Sequence, residues 1–254
     1  MMIYLFLFKQ NDPIGLLGLG EEMKRFLEKK KIYIKHDTPL SYFYDTILLE
    51  SKFRQPQQRS IYMKKEILIF ISENYADWEG AYVCSELNKP ETDFAIKTLA
   101  VSNIAIKSMG GFTVIPDYTV DTLPVHFEML ILIGGTSWLK GINDGVQPVV
   151  DLCVDKKIPV AAICDACTFL ADKGYLDHIE HSGNSSAYLE QFAPNYKGTK
   201  HFVEKQVVST GKFITANGTS AVEFAKEILK YLGVMQKDDL DSWYQMFKNG
   251  FYKE

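Results

Sequence analysis

Residues 159–170 read Pro159-Val-Ala-Ala-Ile-Cys164-Asp-Ala-Cys-Thr-Phe-Leu170 and contain the transition that decides the fold. A short apolar run, typical of a buried parallel strand, leads straight into Cys164, and a helical spacing of apolar residues begins at once. The small side chains of Ala161 and Ala162 permit the close strand packing that a sharp turn needs. The stretch therefore predicts a strand–turn–helix unit with a cysteine on the turn.

Cys164 is a candidate nucleophile because of this position. At the first turn of a helix, free N–H groups and the positive end of the helix dipole stabilise a thiolate, which predicts a thiol pKa below the reference of about 8.5. The thiolate is the nucleophilic form of cysteine, so the site suits covalent or redox chemistry. The alternative is a buried structural cysteine, which is common in strands of this kind.

The chain from Met63 onward alternates strands with helices. The predicted strands are 67–71, 97–101, 112–115, 129–133, 159–163 and 213–215, and the predicted helices are 78–87, 143–156, 165–174, 219–232 and 239–248. This alternation predicts an α/β fold, a doubly wound parallel sheet with helices on both faces. Ligands bind such sheets at the carboxyl ends of the strands, so the loops after Ile71, Ile133 and Ile163 are the expected site.

Each of these regions offers a chemical group. The strand Leu130-Ile-Leu-Ile-Gly134-Gly135 ends in paired glycines whose N–H groups suit an oxyanion hole beside the thiolate. After Ile71, Asp77 is a good helix N-cap, and Glu79 on the first turn points toward the cysteine as a carboxyl partner. The segment Glu180-His181-Ser-Gly-Asn184 supplies His181 as the nearest candidate base.

Composition excludes several functional classes. The 254 residues are 46% hydrophobic with a formal net charge of −4, which argues against a nucleic-acid footprint. No apolar run approaches the roughly 18 residues that a membrane span requires. Four cysteines, none of them in a disulfide-scaffold pattern, suit a reducing cytosol, so a cytoplasmic location is expected. His178-x-x-His181 alone makes a weak case for a metal, and neither a metal nor a cofactor is predicted.

The charge balance and composition divide the chain into three parts. Residues 1–62 are basic in balance and end near a polar linker, Arg54-Gln-Pro-Gln-Gln-Arg-Ser60. They contain one predicted helix at 20–31 and few apolar positions, so we expect a docking arm, a partly disordered extension, or a mis-assigned start with Met63 as the true initiator. We expect residues 63–233 to form the α/β domain and residues 234–254 to form a helical tail packed on it.

Four segments, in this order, resemble the ThiJ/PfpI family, within the class I glutamine amidotransferase-like superfamily. They are Ala76-Asp-Trp-Glu79, Gly110-Gly111 with Ile115-Pro-Asp117, Leu130–Gly135, and Ala161-Ala-Ile-Cys164. The resemblance covers about 63–233 and implies a flavodoxin-like, three-layer α/β/α sandwich. It also implies Cys164 as elbow nucleophile, Glu79 as the carboxyl that hydrogen-bonds its sulfur, Gly135 and the Asp165 amide as oxyanion donors, and a homodimer.

Two departures from the family pattern narrow the activity. Asp165 stands where peptidase-type members place a histidine directly after the cysteine. A carboxylate acceptor cannot replace an imidazole base, and its charge tends to raise the pKa of the thiol, which argues against proteolysis. The stretch Thr215-Ala-Asn-Gly-Thr-Ser220 lacks the His-x-Glu pair of glutaminase subunits, which argues against glutamine amidotransfer.

Three functions stay open on this basis. The first is a cysteine-dependent amidase or hydrolase acting on a small carbonyl or amide substrate, with Cys164, Glu79, Asp165 and His181 as the candidate catalytic residues. The second is an oxidative-stress sensor or chaperone-like protein without turnover, in which an oxidant modifies Cys164 beside Glu79 and Cys167 offers a route to a disulfide. The third is a binding module for a small ligand.

Overall fold

The structure is a computed structural model that describes residues 64–250. The predicted helix at 20–31 and the rest of the N-terminal extension lie outside the described residues. The strands are β1 (Lys65–Phe70), β2 (Phe94–Ala100), β3 (Ile106–Lys107), β4 (Thr113–Val114), β5 (Tyr118–Thr119), β6 (Met129–Leu132), β7 (Val160–Ile163), β8 (Val207–Thr210) and β9 (Phe213–Ala216). The α-helices are α1 (Asp77–Leu87), α2 (Gln147–Lys156), α3 (Asp165–Asp172), α4 (Ser186–Phe192), α5 (Ala221–Tyr231) and α6 (Lys237–Asn249).

Seven strands form one sheet in the order β5-β2-β1-β6-β7-β9-β8. All neighbours are parallel except β8 and β9, which form an antiparallel edge. The central strands are buried on both faces, as their uninterrupted apolar runs predict. The doubly wound α/β fold is therefore confirmed.

Alternate side chains of the central strands build two separate cores. Leu68, Leu130 and Ala162 face the layer that contains α2 and α3. Ile67, Ile131 and Ile163 face the layer that contains α1 and α5, where Phe224 and Ile228 are also fully buried. This two-residue alternation across a sheet covered on both sides produces the three-layer sandwich.

Several local features differ from the predictions. Residues 112–115 contribute only β4, which pairs with β3 in a hairpin outside the main sheet. The short strands β3, β5 and β8 and the helix α4 have no counterpart among the predicted elements. Asp77 does not cap its own helix: Ala76 is the N-cap residue, and the Asp77 carboxylate accepts a hydrogen bond from the Gly110 N–H at 2.6 Å.

The C-terminal helix α6 packs against the domain through aromatic side chains. Tyr82 of α1 makes edge-on contacts with Trp243 and Phe247, with ring centroids 6.5 and 5.1 Å apart. Lys248 and Tyr244 bind the buried Glu223 carboxylate of α5 at 2.7 and 2.8 Å. The helix therefore contacts α1, whose first turn carries Glu79.

Candidate active site

Cys164 lies on a sharp turn between β7 and α3, as the sequence predicts. Its backbone has φ 61° and ψ −130°, a region that a residue with a side chain occupies at a cost of order 1–3 kcal/mol. The Cys164 N–H donates to the Ala216 carbonyl at 3.0 Å, which ties the turn to the end of β9. Strain of this kind at a strand-to-helix turn is typical of a nucleophile elbow, because it projects the side chain above the sheet.

Glu79 reaches the cysteine from the first turn of α1. The side chain is 1% exposed, its Oε2 accepts the Gly134 N–H at 2.8 Å, and the carboxyl hydrogen-bonds the Cys164 thiol. Burial raises the pKa of Glu79 to about 7, against the lowering effect of these two hydrogen bonds. The carboxyl therefore changes charge near neutral pH, which is where a general acid or base is most effective.

The pKa of the Cys164 thiol is raised, whereas the sequence predicts that it is lowered. Burial, and after it the charges of Glu79 and Asp165, raise the pKa to about 12, against the lowering effect of the hydrogen bond from Asn184. The prediction of a lowered pKa from the helix end is wrong, because burial and two nearby carboxyls, one of them Asp165, act in the other direction. The thiol is therefore protonated at rest near neutral pH, and a base must take its proton during attack.

Glycine backbone forms two walls of the site. A Cβ on Gly134 would lie 2.6 Å from the Cys164 Cβ and 2.7 Å from Glu79 Oε2. A Cβ on Gly218, in the loop after β9, would lie 2.8 Å from the Cys164 Sγ and 3.3 Å from Glu79 Oε1. The indole N–H of Trp78 donates to the Gly218 carbonyl at 3.4 Å. Sulfur and carboxyl are thus held together between two segments that only glycine can supply.

The three candidate oxyanion donors differ in availability. The Gly134 N–H is already bonded to Glu79. The Gly135 N–H has no acceptor within residues 64–250. Asp165 is the first residue of α3, so its N–H has no partner within the helix. Of the three candidates, Gly135 and Asp165 are therefore the ones whose N–H groups have no acceptor among the described residues.

His181 is not in contact with the cysteine. It is fully buried, its Nδ1 lies 2.7 Å from the Ile179 carbonyl, and its Nε2 lies 2.6 Å from the Tyr196 hydroxyl. Because a carbonyl only accepts, Nδ1 carries the proton and Nε2 accepts from Tyr196. Both ring nitrogens are therefore engaged in local bonds. Burial also lowers the pKa of His181, which favours the neutral form.

The side chain that lies beside the cysteine is that of Asn184, and not that of His181. Its Nδ2 lies 3.6 Å from the Cys164 Sγ and 3.3 Å from Asp165 Oδ1, which also accepts from the Tyr188 hydroxyl at 2.8 Å. The residues predicted from the sequence do not include Asn184, Tyr188 or Gly218. Gly218 could have been found, since it follows a predicted strand at the same carboxyl edge; no sequence signal marks Asn184 or Tyr188.

Cys167 faces away from solvent and into the core. It is fully buried, and its thiol donates to the carbonyls of Ala162 and Ala216 at 3.3 and 3.4 Å. Burial raises its pKa above the ordinary value. These contacts are typical of a small core residue rather than of a resolving thiol. Within the described residues, no group of three or more His, Cys, Asp or Glu side chains is arranged to hold a metal ion.

Replacing Asp165 with asparagine is expected to make the thiol more reactive. The asparagine side chain keeps an acceptor for Tyr188 but lacks the charge that raises the pKa of Cys164, so the alkylation rate at pH 8 should rise about tenfold. The rate of iodoacetamide alkylation against pH measures this. Asp172→Asn, at the other end of α3, is the matched control, and a shift of the Asp165→Asn profile to higher pH would contradict the expectation.

Comparison with known proteins gives consistent matches. A family model described as the DJ-1/PfpI family matches residues 65–231. Two Bacillus subtilis proteins described as uncharacterized proteases, YdeA and YoaZ, are 38% and 31% identical over 188 and 191 residues. These alignments cover 74% and 72% of this chain and 93% and 91% of the relatives.

Solved structures agree with these sequence matches. A thiJ/pfpI family protein from Bacillus anthracis is 34% identical with a TM-score of 0.69, over 74% of this chain and 92% of that one. A DJ-1 superfamily protein from Agrobacterium tumefaciens is 32% identical with a TM-score of 0.67, over 73% of this chain and 98% of that one. Among residues 64–250, no helix has both the length and the apolar character needed to cross a membrane.

Proposed function

Because the chain belongs to the DJ-1/PfpI family, we propose that it is a cysteine-dependent hydrolase or amidase acting on a small carbonyl or amide substrate. The observation that carries the proposal is the pairing of a strained elbow thiol with a buried carboxyl whose pKa lies near 7. A thiol that is protonated at rest needs a base, and Glu79 is a carboxylate in contact with it. The names of the two Bacillus relatives also fit hydrolysis of an acyl bond.

The reaction proceeds in two acyl-transfer steps. The Cys164 sulfur attacks the carbonyl carbon while the Glu79 carboxylate takes the thiol proton, and the N–H groups of Gly135 and Asp165 bind the oxygen that gains charge. Collapse of this intermediate breaks the bond to the leaving group, which receives the proton from Glu79. Water then attacks the thioester with Glu79 as base again, which releases the acid and restores the thiol.

Cys164→Ala is expected to abolish this activity. Hydrolysis of the small activated ester p-nitrophenyl acetate by the full-length protein should fall to the uncatalysed rate, because alanine removes the nucleophile that forms the thioester. Cys84→Ala, a half-buried thiol on α1, is the control and should retain the wild-type rate. Equal hydrolysis by wild type and Cys164→Ala would refute the proposal and leave the binding-module alternative.

The alternative function, an oxidative-stress sensor, is tested by a separate experiment. Mass spectrometry after peroxide treatment should find oxygen adducts on Cys164 in a protein that senses oxidants. A disulfide to Cys167 is not expected, because the Cys167 thiol is buried and donates to two strand carbonyls. Adducts on Cys164 together with no ester hydrolysis would favour the sensor over the hydrolase.

We also propose that two copies of the chain associate through the β3–β4 hairpin. Ile104, Phe112 and Ile115 on and beside this hairpin are 70%, 67% and 75% exposed, which is unusual for three large apolar side chains in one region. Phe112→Lys combined with Ile115→Lys should convert a dimer to a monomer in size-exclusion chromatography with light scattering. Val125→Lys, an exposed apolar residue before β6, should leave the dimer intact, and a monomeric wild type would refute the proposal.

A further inference from the structure

Asn184 connects three parts of the site that come from distant segments. Its Nδ2 lies 3.6 Å from the Cys164 Sγ and 3.3 Å from Asp165 Oδ1. Its Oδ1 accepts the Gly218 N–H at 3.0 Å. One amide therefore contacts the Cys164 sulfur, the Asp165 carboxyl and the backbone of Gly218 beside the sulfur.

The orientation of this amide is determined by its partners. A backbone N–H can only donate, so the atom that faces Gly218 must be the amide oxygen. The amide nitrogen then faces the sulfur and the Asp165 carboxyl, both of which accept when ionised. The sulfur thus receives a hydrogen bond from a group that stays neutral at every physiological pH.

Within the described part of the chain, the titratable groups around the sulfur are acidic. Glu79 faces it from α1 and Asp165 from α3, with Tyr188 of α4 behind Asp165 and the Cys167 thiol beneath. None of these is a cation or an imidazole. Among residues 64–250, stabilisation of negative charge on the sulfur therefore depends on the Asn184 amide and on backbone N–H groups.

We propose that Asn184 sets the reactivity of Cys164, by donating to the charge that develops on the sulfur while holding Asp165 and the Gly218 loop in place. The proposal rests on the proposed function only in taking Cys164 as the reacting atom, and it requires no turnover. A residue with a merely structural role would hold the loop without changing how the thiol titrates.

Two substitutions at this position have opposite expected effects on alkylation of the full-length protein by iodoacetamide. Asn184→Asp keeps an acceptor for Gly218 but loses the donor and adds charge, and each change should slow alkylation about tenfold, so the rate constant at pH 8 should fall about a hundredfold. Asn184→His introduces a group that is cationic below its ordinary pKa of about 6.5, so the rate between pH 5 and 7 should rise and its pH profile should gain an inflection there.

A double variant separates the effect on the sulfur from a structural effect. Asp165→Asn combined with Asn184→Asp exchanges an amide and a carboxyl that contact each other, which restores their mutual hydrogen bond and the total charge. The proposal predicts that alkylation stays about tenfold slower than in the wild type, because the sulfur still lacks its donor. Asn195→Asp, which adds the same charge beside Asp172, is the control and should not change the profile.

The outcomes distinguish this inference from the proposed function. A wild-type profile in the double variant, or in Asn184→Asp, would overturn the role of Asn184 even if the protein hydrolyses esters. Absence of ester hydrolysis, with the alkylation profiles shifted as described, would overturn the hydrolase and support the role of Asn184. Thermal unfolding of each variant shows that the comparison is between folded proteins.

Discussion

Glu79→Gln is expected to abolish ester hydrolysis and, at pH 8, to stabilise the folded protein by about 3 kcal/mol. The folded-state pKa of Glu79 is about 7, whereas the carboxyl in the unfolded chain titrates near its ordinary value of 4.5. As pH rises from 4.5 to 7, the unfolded chain loses this proton before the folded protein does, so the free energy of unfolding falls. Above pH 7 the full penalty of a buried carboxylate is present.

Glutamine removes this penalty without removing the contact to Gly134. Its amide oxygen still accepts the Gly134 N–H, while its neutral side chain has no base function, so the rate of hydrolysis should fall by about 10²–10⁴. Hydrolysis by the wild type should rise through pH 7 as Glu79 loses its proton, and this rise should be absent in Glu79→Gln. Denaturant unfolding at pH 5 and pH 8 and the pH–rate profile measure both effects.

A matched control exists on the same helix. Glu86 is also buried, but its carboxylate forms an ion pair with Lys89 and lies away from the cysteine. Glu86→Gln should therefore give no stabilisation at pH 8 and no loss of hydrolysis. Equal stability of wild type and Glu79→Gln at both pH values would show that the carboxyl of Glu79 is not destabilised by burial.

Gly134→Ala is expected to cost about 3 kcal/mol of folding free energy and to inactivate the site. The added Cβ would lie 2.6 Å from the Cys164 Cβ, 2.7 Å from Glu79 Oε2 and 2.9 Å from the Ile163 carbonyl oxygen. Two of these atoms belong to the strand β7 and its turn, which cannot move aside without disturbing the sheet. The methyl group must therefore separate the sulfur from the carboxyl.

Gly183→Ala serves as the control for this substitution. A Cβ there would meet Leu189 at 3.4 Å and Cys167 at 3.5 Å, which are ordinary van der Waals distances. Thermal unfolding and ester hydrolysis should therefore distinguish the two alanine variants. A Gly134→Ala protein with wild-type stability and rate would mean that Cys164 and Glu79 need not be in contact.

The spacing of apolar residues along the chain explains which parts of the fold could be predicted. The strands at 129–133 and 159–163 and the helix at 165–174 are uninterrupted or periodic apolar segments, and the structure places β6, β7 and α3 within them. The prediction that 112–115 is a strand of the main sheet was wrong, because a four-residue apolar segment does not specify which strand it pairs with. Asp77 failed as a helix cap because its carboxylate bonds a hairpin more than thirty residues away.

The sequence by itself determined that the chain forms a doubly wound sheet with Cys164 on an elbow, paired glycines after β6, and Glu79 on the first turn of α1. These features depend on periodicity and on neighbours within a few residues, which a linear chain displays directly. Only the tertiary structure decided which groups contact the sulfur. It brings Asn184 and Gly218 to Cys164, directs His181 elsewhere, and raises the pKa of the thiol. Burial and charge come from segments distant along the chain, so the protonation of Cys164 is a property of the assembled site.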